Sequence, residues 1–94
     1  KSMSKKLDDL RGQIDIIDKD ILTLLEKRMS IVKKIGQYKK EKGITALDKT
    51  RWNKVLESNL AKAESLGLSK IFIKKIFKTI HELSLEIQKG TSNE

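Results

Sequence analysis

Arg28 places a permanent positive charge in an otherwise apolar helical seam. The apolar residues of this seam recur in steps of three and four, and they are Leu7, Leu10, Ile14, Ile17, Ile21, Leu24, Ile31, Ile35 and Tyr38. Such steps are typical of a helix that buries one narrow stripe. Arg28 occupies the next position after Leu24, and because a guanidinium keeps its proton, burying it requires an anionic partner. The seam is therefore either hydrated at this point or built to hold an anion.

Two further cations on the same predicted helix help to decide whether the seam at Arg28 is hydrated or holds an anion. Lys39 follows Arg28 by eleven residues, so at about 100° per residue the two side chains project within about 20° of each other. Arg11 precedes Arg28 by seventeen residues, points about 100° away and lies about 26 Å along the axis. Arg11 therefore cannot join the same cavity from its own chain, but it can from an antiparallel second chain.

The rest of the chain supplies matching polar groups. Asp48 and Arg51 lie one helical turn apart, and Ser84 and Gln88 are four residues apart on one face. Together with the cations, this set is rich in donors and has a single acid, which suits a substrate with two carboxylates and a polar group. It lacks a nucleophile paired with a base and it lacks metal ligands. The chemistry it predicts is electrostatic complementarity to an anion.

Each of these residues also has an explanation without a ligand. Arg28 can be a registry device in a coiled coil, and the other cations of the helix can be solvated. Helix capping alone is enough to explain Asp48, and Arg51 can simply form an ion pair with Asp48. Ser84 can bond a helix carbonyl, and Gln88 can face solvent.

Composition predicts a single all-α domain over residues 1–94. The chain has no proline, five glycines, 37% hydrophobic and 36% charged residues, and it lacks strand signals. Without cysteine and with one histidine, His81, we expect no disulfide and neither a metal nor another cofactor. His81 is most simply a half-buried structural residue. The absence of a long apolar run or signal peptide predicts a cytoplasmic protein without membrane contact.

Three helices are predicted, at about residues 5–42, 49–65 and 70–89. Gly43 ends the first, while Asp48 and Ser69 cap the second and third. At 1.5 Å per residue their lengths are about 57, 26 and 30 Å. A helix of about 57 Å with an apolar seam needs a partner of similar length, which an antiparallel second copy provides. We therefore predict an intertwined homodimer of six helices.

Several segments together resemble the all-helical class of chorismate mutases over about residues 5 to 90. The opening "LRxxIDxIDxxILxLLxxR" begins at Leu10, and the later part matches the pattern "K…DxxR…SxxxQ". The matching segments are Leu10-Arg11, Ile14-Asp15, Ile17-Asp18, Leu24-Leu25-Glu26-Lys27-Arg28, Ile35-Gly36-Gln37-Tyr38-Lys39, Asp48 to Arg51, and Ser84 with Gln88. The resemblance implies conversion of chorismate to prephenate by a Claisen rearrangement without a cofactor, in the biosynthesis of phenylalanine and tyrosine.

The resemblance also implies a role for each site residue. Arg28 and the partner chain's Arg11 would each hold a substrate carboxylate, while Lys39 and Gln88 would donate to the ether oxygen. The remaining contacts, to a carboxylate and to the ring hydroxyl, fall to Arg51, Ser84 and Asp48. Ile35, Trp52 and His81 are further candidates without an assigned role.

Trp52 departs from the family pattern, which usually has a glutamate after the arginine at 51. An indole N–H only donates, so it cannot accept from the substrate hydroxyl as a carboxylate does. Trp52 therefore turns away and leaves the hydroxyl to Asp48, or donates to the hydroxyl oxygen, or the substrate differs. Isochorismate–pyruvate lyase chemistry on a related fold is the alternative function, since the hydroxyl then lies at another ring position.

The net charge of +8 keeps a third hypothesis open. A basic helical dimer can bind nucleic acid or a partner protein if its lysines line an outer face. Adjacent lysines at 5–6, 33–34, 39–40 and 74–75 are candidates for such a face. Against this hypothesis, the site inventory favours a small dicarboxylate and no nucleic acid.

Overall fold

The computed structural model describes residues 2–90, with side chains from residue 4 onward. It consists of α1 (Ser2–Lys42), α2 (Lys49–Ser65) and α3 (Lys70–Gln88), and residues 2–90 contain no strand. This confirms the all-α class and the three helices per chain. The structure has α1 beginning slightly before, and α3 ending one residue before, the positions expected from the sequence. None of these helices carries an apolar stretch long enough to span a bilayer.

Local signals in the sequence account for the helix ends. The Asp48 carboxylate accepts from the Arg51 backbone N–H at 3.0 Å, and the Ser69 hydroxyl accepts from the Phe72 N–H at 3.2 Å. Both bonds satisfy N–H groups that have no partner inside the helix. At the end of α1, Gly43 adopts a φ of 68°, a left-handed conformation that costs glycine little. These ends fix the joints that carry the chain from one helix to the next.

Two compact units divide the chain, Lys1–Ile31 and Val32–Glu94, and their boundary falls within α1. Over residues 4–31 of the first unit no residue is buried. The exposed large hydrophobic residues include the seam members Leu7, Leu10, Ile14, Ile17, Ile21, Leu24 and Ile31. Ile14 is typical, with 56% of its surface exposed. The first unit thus presents an apolar seam that its own residues do not cover.

The second unit is a small helical cluster in which α2 packs against α3. Its buried hydrophobic residues are Val32 and Ala63, and the polar residue Ser84 is also buried, with 4% exposure. Larger side chains such as Leu56, Ile76 and Phe77 are only half-buried. The core of this unit is therefore thin, as expected for a chain of this size.

Candidate active site

Lys39 and Gln88 form the centre of the polar arrangement in the second unit. The Lys39 ammonium donates to Gln88 Oε1 at 2.8 Å, although the two residues are 49 positions apart. It also donates to the Ala46 carbonyl at 2.8 Å, in the joint between α1 and α2. Both bonds are partly buried. The end of α1, the following joint and the end of α3 therefore meet at the Lys39 ammonium.

Gly36 makes this meeting possible. A Cβ atom at this position would lie 2.7 Å from Gln88 Cα and 3.0 Å from the Gln88 carbonyl oxygen. Only glycine allows the backbones of α1 and α3 to approach this closely, and Gly36 is buried there. Sequence reasoning missed this role. The available signal was a helix-interior glycine one turn before Lys39.

A cavity of about 200 Å³ opens beside the Lys39–Gln88 pair. Its lining residues are Gly36, Lys39, Lys40, Ile44, Ala46, Gln88 and Lys89. Three of them are lysines and none carries a carboxylate, so the cavity favours an anion. Pockets for small molecules usually measure about 300–1,000 Å³. A ring-sized ligand at this position therefore needs further walls.

Asp48 and Arg51 meet at the start of α2. The Asp48 side chain serves as the N-cap through its bond to the Arg51 N–H, as the capping interpretation predicted. The Arg51 side chain is exposed. The guanidinium of Arg51 is thus placed at a helix start and is accessible to an anionic ligand.

Ser84 lies on α3 one turn before Gln88. Its hydroxyl donates to the Ile80 carbonyl at 2.7 Å, the local bond that a serine in a helix commonly makes. Because a hydroxyl has one proton, a bond from Ser84 to a carboxylate requires the hydroxyl to rotate away from Ile80. Its role toward a substrate stays a prediction.

Trp52 and His81 form a stacked aromatic pair between α2 and α3. Their ring centroids are 4.1 Å apart and the ring planes differ by 12°. Both residues are half-buried. No sequence pattern indicated this contact, which depends on how the two helices pack.

The remaining candidates are described within their own units. Arg11 and Arg28 belong to the first unit, where Arg11 is exposed and Arg28 is half-buried and already interacts with another group. Ile35 belongs to the second unit and is 42% exposed. Within residues 2–90, no three histidine or acidic side chains cluster as a metal site would require.

Comparison with known proteins identifies the family. The family model "Chorismate mutase type II" matches residues 10–89. The chain is 33% identical to the T-protein of Enterobacter agglomerans over 78 residues, which cover 83% of this chain and 21% of that protein. It is 29% identical to the T-protein of Haemophilus influenzae over 77 residues, 82% of this chain and 20% of that protein.

The chain thus spans about a fifth of the length of the curated relatives it matches. No solved structure matches it significantly. The matched region contains every site residue that the motifs predicted, from Arg11 to Gln88. The comparisons confirm the resemblance, and the chain belongs to the chorismate mutase type II family.

Proposed function

We propose that this chain converts chorismate to prephenate with Lys39 and Gln88 as its catalytic residues. The reaction breaks the C–O bond of an enol ether while a C–C bond forms within the same molecule. The rearrangement is intramolecular and transfers neither electrons nor a chemical group to another molecule, so it requires no cofactor. The observation that carries this proposal is the 2.8 Å bond between the Lys39 ammonium and Gln88 Oε1 beside an electropositive cavity.

The bond between Lys39 and Gln88 determines which N–H groups of the two side chains remain for a substrate. An ammonium only donates, so Lys39 must face the amide oxygen, and the Gln88 NH₂ group then points elsewhere. Among the described residues, two of the three Lys39 N–H groups have partners. The third N–H of Lys39 and the Gln88 NH₂ group are then the donors that the pair offers to a ligand.

Negative charge grows at the ether oxygen as the C–O bond stretches. Donors at that position bind the transition state more tightly than the ground state, and this difference raises the rate. The two Lys39 partners hold the ammonium in place beforehand, so little reorganisation is needed during the reaction. Lys39 and Gln88 therefore act by stabilising charge and not by moving a proton.

The arginines supply binding and orientation. Arg28 of the chain itself holds one substrate carboxylate, and Arg11 of the partner subunit holds the other. Fixing both carboxylates selects the compact chair-like conformer of the substrate, in which the reacting carbons touch. Arg51 and Ser84 support a carboxylate, and Asp48 lies toward the ring hydroxyl. Clamping both ends of a flexible substrate supplies the proximity contribution to the rate.

An intertwined homodimer is part of the proposal, and the exposed surface supports it. The uncovered seam of α1 provides an apolar surface suited to the interface between two chains.

The test is turnover by the purified protein. Chorismate is added and the loss of its diene absorbance is followed, and isochorismate is offered separately with an assay for pyruvate. We expect loss of chorismate with formation of prephenate. Pyruvate released from isochorismate, without chorismate turnover, would instead establish the lyase. Failure on both substrates, together with salt-sensitive retention on DNA, would favour the nucleic-acid-binding function.

A further inference from the structure

The Lys40 side chain reaches from α1 to the end of α3. A Cβ atom on Gly90 would lie 2.9 Å from the Lys40 ammonium nitrogen and 3.8 Å from Lys40 Cε. Gly90 directly follows the C-cap residue of α3, Lys89. We infer that Lys40 is a positioning residue, whose ammonium holds the end of α3 against α1 and thereby fixes where Gln88 presents its amide. This inference rests on the proposed function, in which Gln88 is a donor.

The last turn of α3 attracts a cation. The final C=O groups of a helix have no N–H partner within the helix and carry partial negative charge. The last turn of α3 includes the acid Glu86 and no basic residue, and the side chain of the following Lys89 is exposed. The last turn of α1, in contrast, contains lysines at 39, 40 and 42. Lys40 is the one whose ammonium lies beside Gly90, so α1 supplies positive charge to the end of α3.

The helical position of Lys40 places it next to the close approach at Gly36. Lys40 follows Gly36 by four residues, so the two lie on one side of α1, one turn apart. Gly36 lies against the backbone of Gln88, and Lys40 lies beside Gly90, two residues further along the chain. One point of contact would leave the end of α3 free to pivot about it. The second contact limits that motion and so fixes the direction of the Gln88 side chain.

Lys40 and Lys39 act on different parts of α3. The Lys39 ammonium bonds the side chain of Gln88, whereas the Lys40 ammonium lies beside the backbone at Gly90. Lys40 also borders the cavity, so the competing role is direct binding of a substrate carboxylate. Kinetics separate the two roles. Loss of a group that binds substrate and transition state equally raises KM, whereas displacement of a transition-state donor lowers kcat.

The first measurement is the steady-state kinetics of Lys40→Met, which keeps much of the side-chain length and removes the charge. We expect kcat to fall about 10- to 100-fold, the cost of moving a donor by about 1 Å, with KM changed less than about twofold. Lys40→Arg restores a cation and should recover most of the lost kcat. Lys42→Met, at an exposed position in the same turn of α1, is the matched control and should keep the unaltered kcat and KM. A raised KM with unchanged kcat in Lys40→Met overturns the inference and assigns Lys40 to substrate binding.

The decisive comparison repeats Lys40→Met in a Gln88→Leu background. Leucine has no donor, so the direction of the side chain at position 88 no longer affects the rate. Lys40→Met should then lower kcat by less than about twofold, because the two residues act as a unit. A merely structural role, such as partial unfolding, would lower kcat by the same factor in both backgrounds. Equal factors therefore overturn the inference.

A measurement on the unaltered protein tests the contact without any variant that could fail to fold. Because Lys40 Cε lies 3.8 Å from the Cβ position of Gly90, we expect a nuclear Overhauser effect between the ε-protons of Lys40 and an α-proton of Gly90. Its absence overturns the inference alone, as does chorismate turnover by Lys40→Met at the unaltered kcat. Absence of chorismate turnover by the unaltered protein overturns the proposed function, and the inference with it.

Discussion

The backbones of Gly36 and Gln88 approach so closely that a methyl group on Gly36 would lie 2.7 Å from Gln88 Cα. This approach brings α1 against the end of α3 and places Lys39, one turn after Gly36, within 2.8 Å of the Gln88 side chain. The bond between Lys39 and Gln88 thus depends on the absence of a side chain at Gly36.

Replacing Gly36 by alanine should separate α1 from the end of α3. The added Cβ has to displace backbone atoms, which costs about 1–3 kcal/mol as overpacking does. A shift of about 1 Å in the donors is enough to lower kcat by up to about 100-fold. Thermal unfolding and steady-state kinetics of Gly36→Ala measure the two effects.

Gly12→Ala is the matched control, because a Cβ at Gly12 meets no atom within 4 Å and the residue lies in the same helix. It should stabilise the protein by about 0.5–1 kcal/mol, the usual gain from alanine within a helix. Equal losses of activity in the two variants would contradict the close-approach argument.

Lys39→Met should lower kcat by about 100- to 1,000-fold, as removal of one transition-state donor does. Methionine keeps much of the side-chain length and leaves the joint at Ala46 without its ammonium donor. Lys33→Met, at an exposed position of the same helix, controls for loss of charge alone. A similar loss of kcat in both variants would show that net charge, and not the position of Lys39, is responsible.

Gln88→Glu should move the activity optimum to acidic pH. A glutamic acid side chain donates only when protonated, and its ordinary pKa is about 4.3. The nearby Lys39 ammonium favours the carboxylate and lowers this pKa further. Activity should therefore be present at low pH and fall as pH rises through that pKa.

The pH dependence of kcat for Gln88→Glu is compared with that of Gln37→Glu, since Gln37 is exposed on α1. The unaltered enzyme and the Gln37→Glu variant should share one profile. A Gln88→Glu profile identical to theirs would remove Gln88 from the reaction.

The proposal that Arg11 enters the site of the partner subunit predicts complementation between inactive variants. Arg11→Ala and Lys39→Ala should each be inactive as homodimers, since every site then lacks one residue. Mixed dimers contain one site with both residues intact and one site with neither. Unfolding and refolding the two variants together should restore activity, to about a quarter of the unaltered level for random mixing of chains.

Refolding each variant alone is the control and should restore no activity. Failure of the mixture to recover, with dimers present by sedimentation, would place Arg11 outside the site of the other subunit.

Much of the fold follows from local sequence signals. Gly43, Asp48 and Ser69 mark helix ends because each acts through its own backbone or a neighbouring N–H group. The steps of three and four from Leu7 to Tyr38 predicted the long helix for the same reason. Such signals can be interpreted without knowing how the helices pack against one another.

The contacts that build the site are of another kind. The family resemblance predicted that Lys39 and Gln88 lie in one site, but it did not predict the direct bond between them, since no local rule connects residues 49 positions apart. The stack of Trp52 on His81 and the close approach at Gly36 depend on the packing of α3, which sequence spacing does not give. Tertiary geometry of this kind appears only when the helices are placed.

The core of the second unit is thin and the apolar seam of α1 is exposed. The stability of the fold should therefore depend on protein concentration. Only Val32 and Ala63 are buried hydrophobic residues in the described part, so an isolated chain gains little from folding. In the proposed homodimer, most of the stabilisation comes from association, which follows mass action. The melting temperature should rise with the logarithm of concentration and refolding should be second order. The cell must therefore keep enough copies for each chain to meet another.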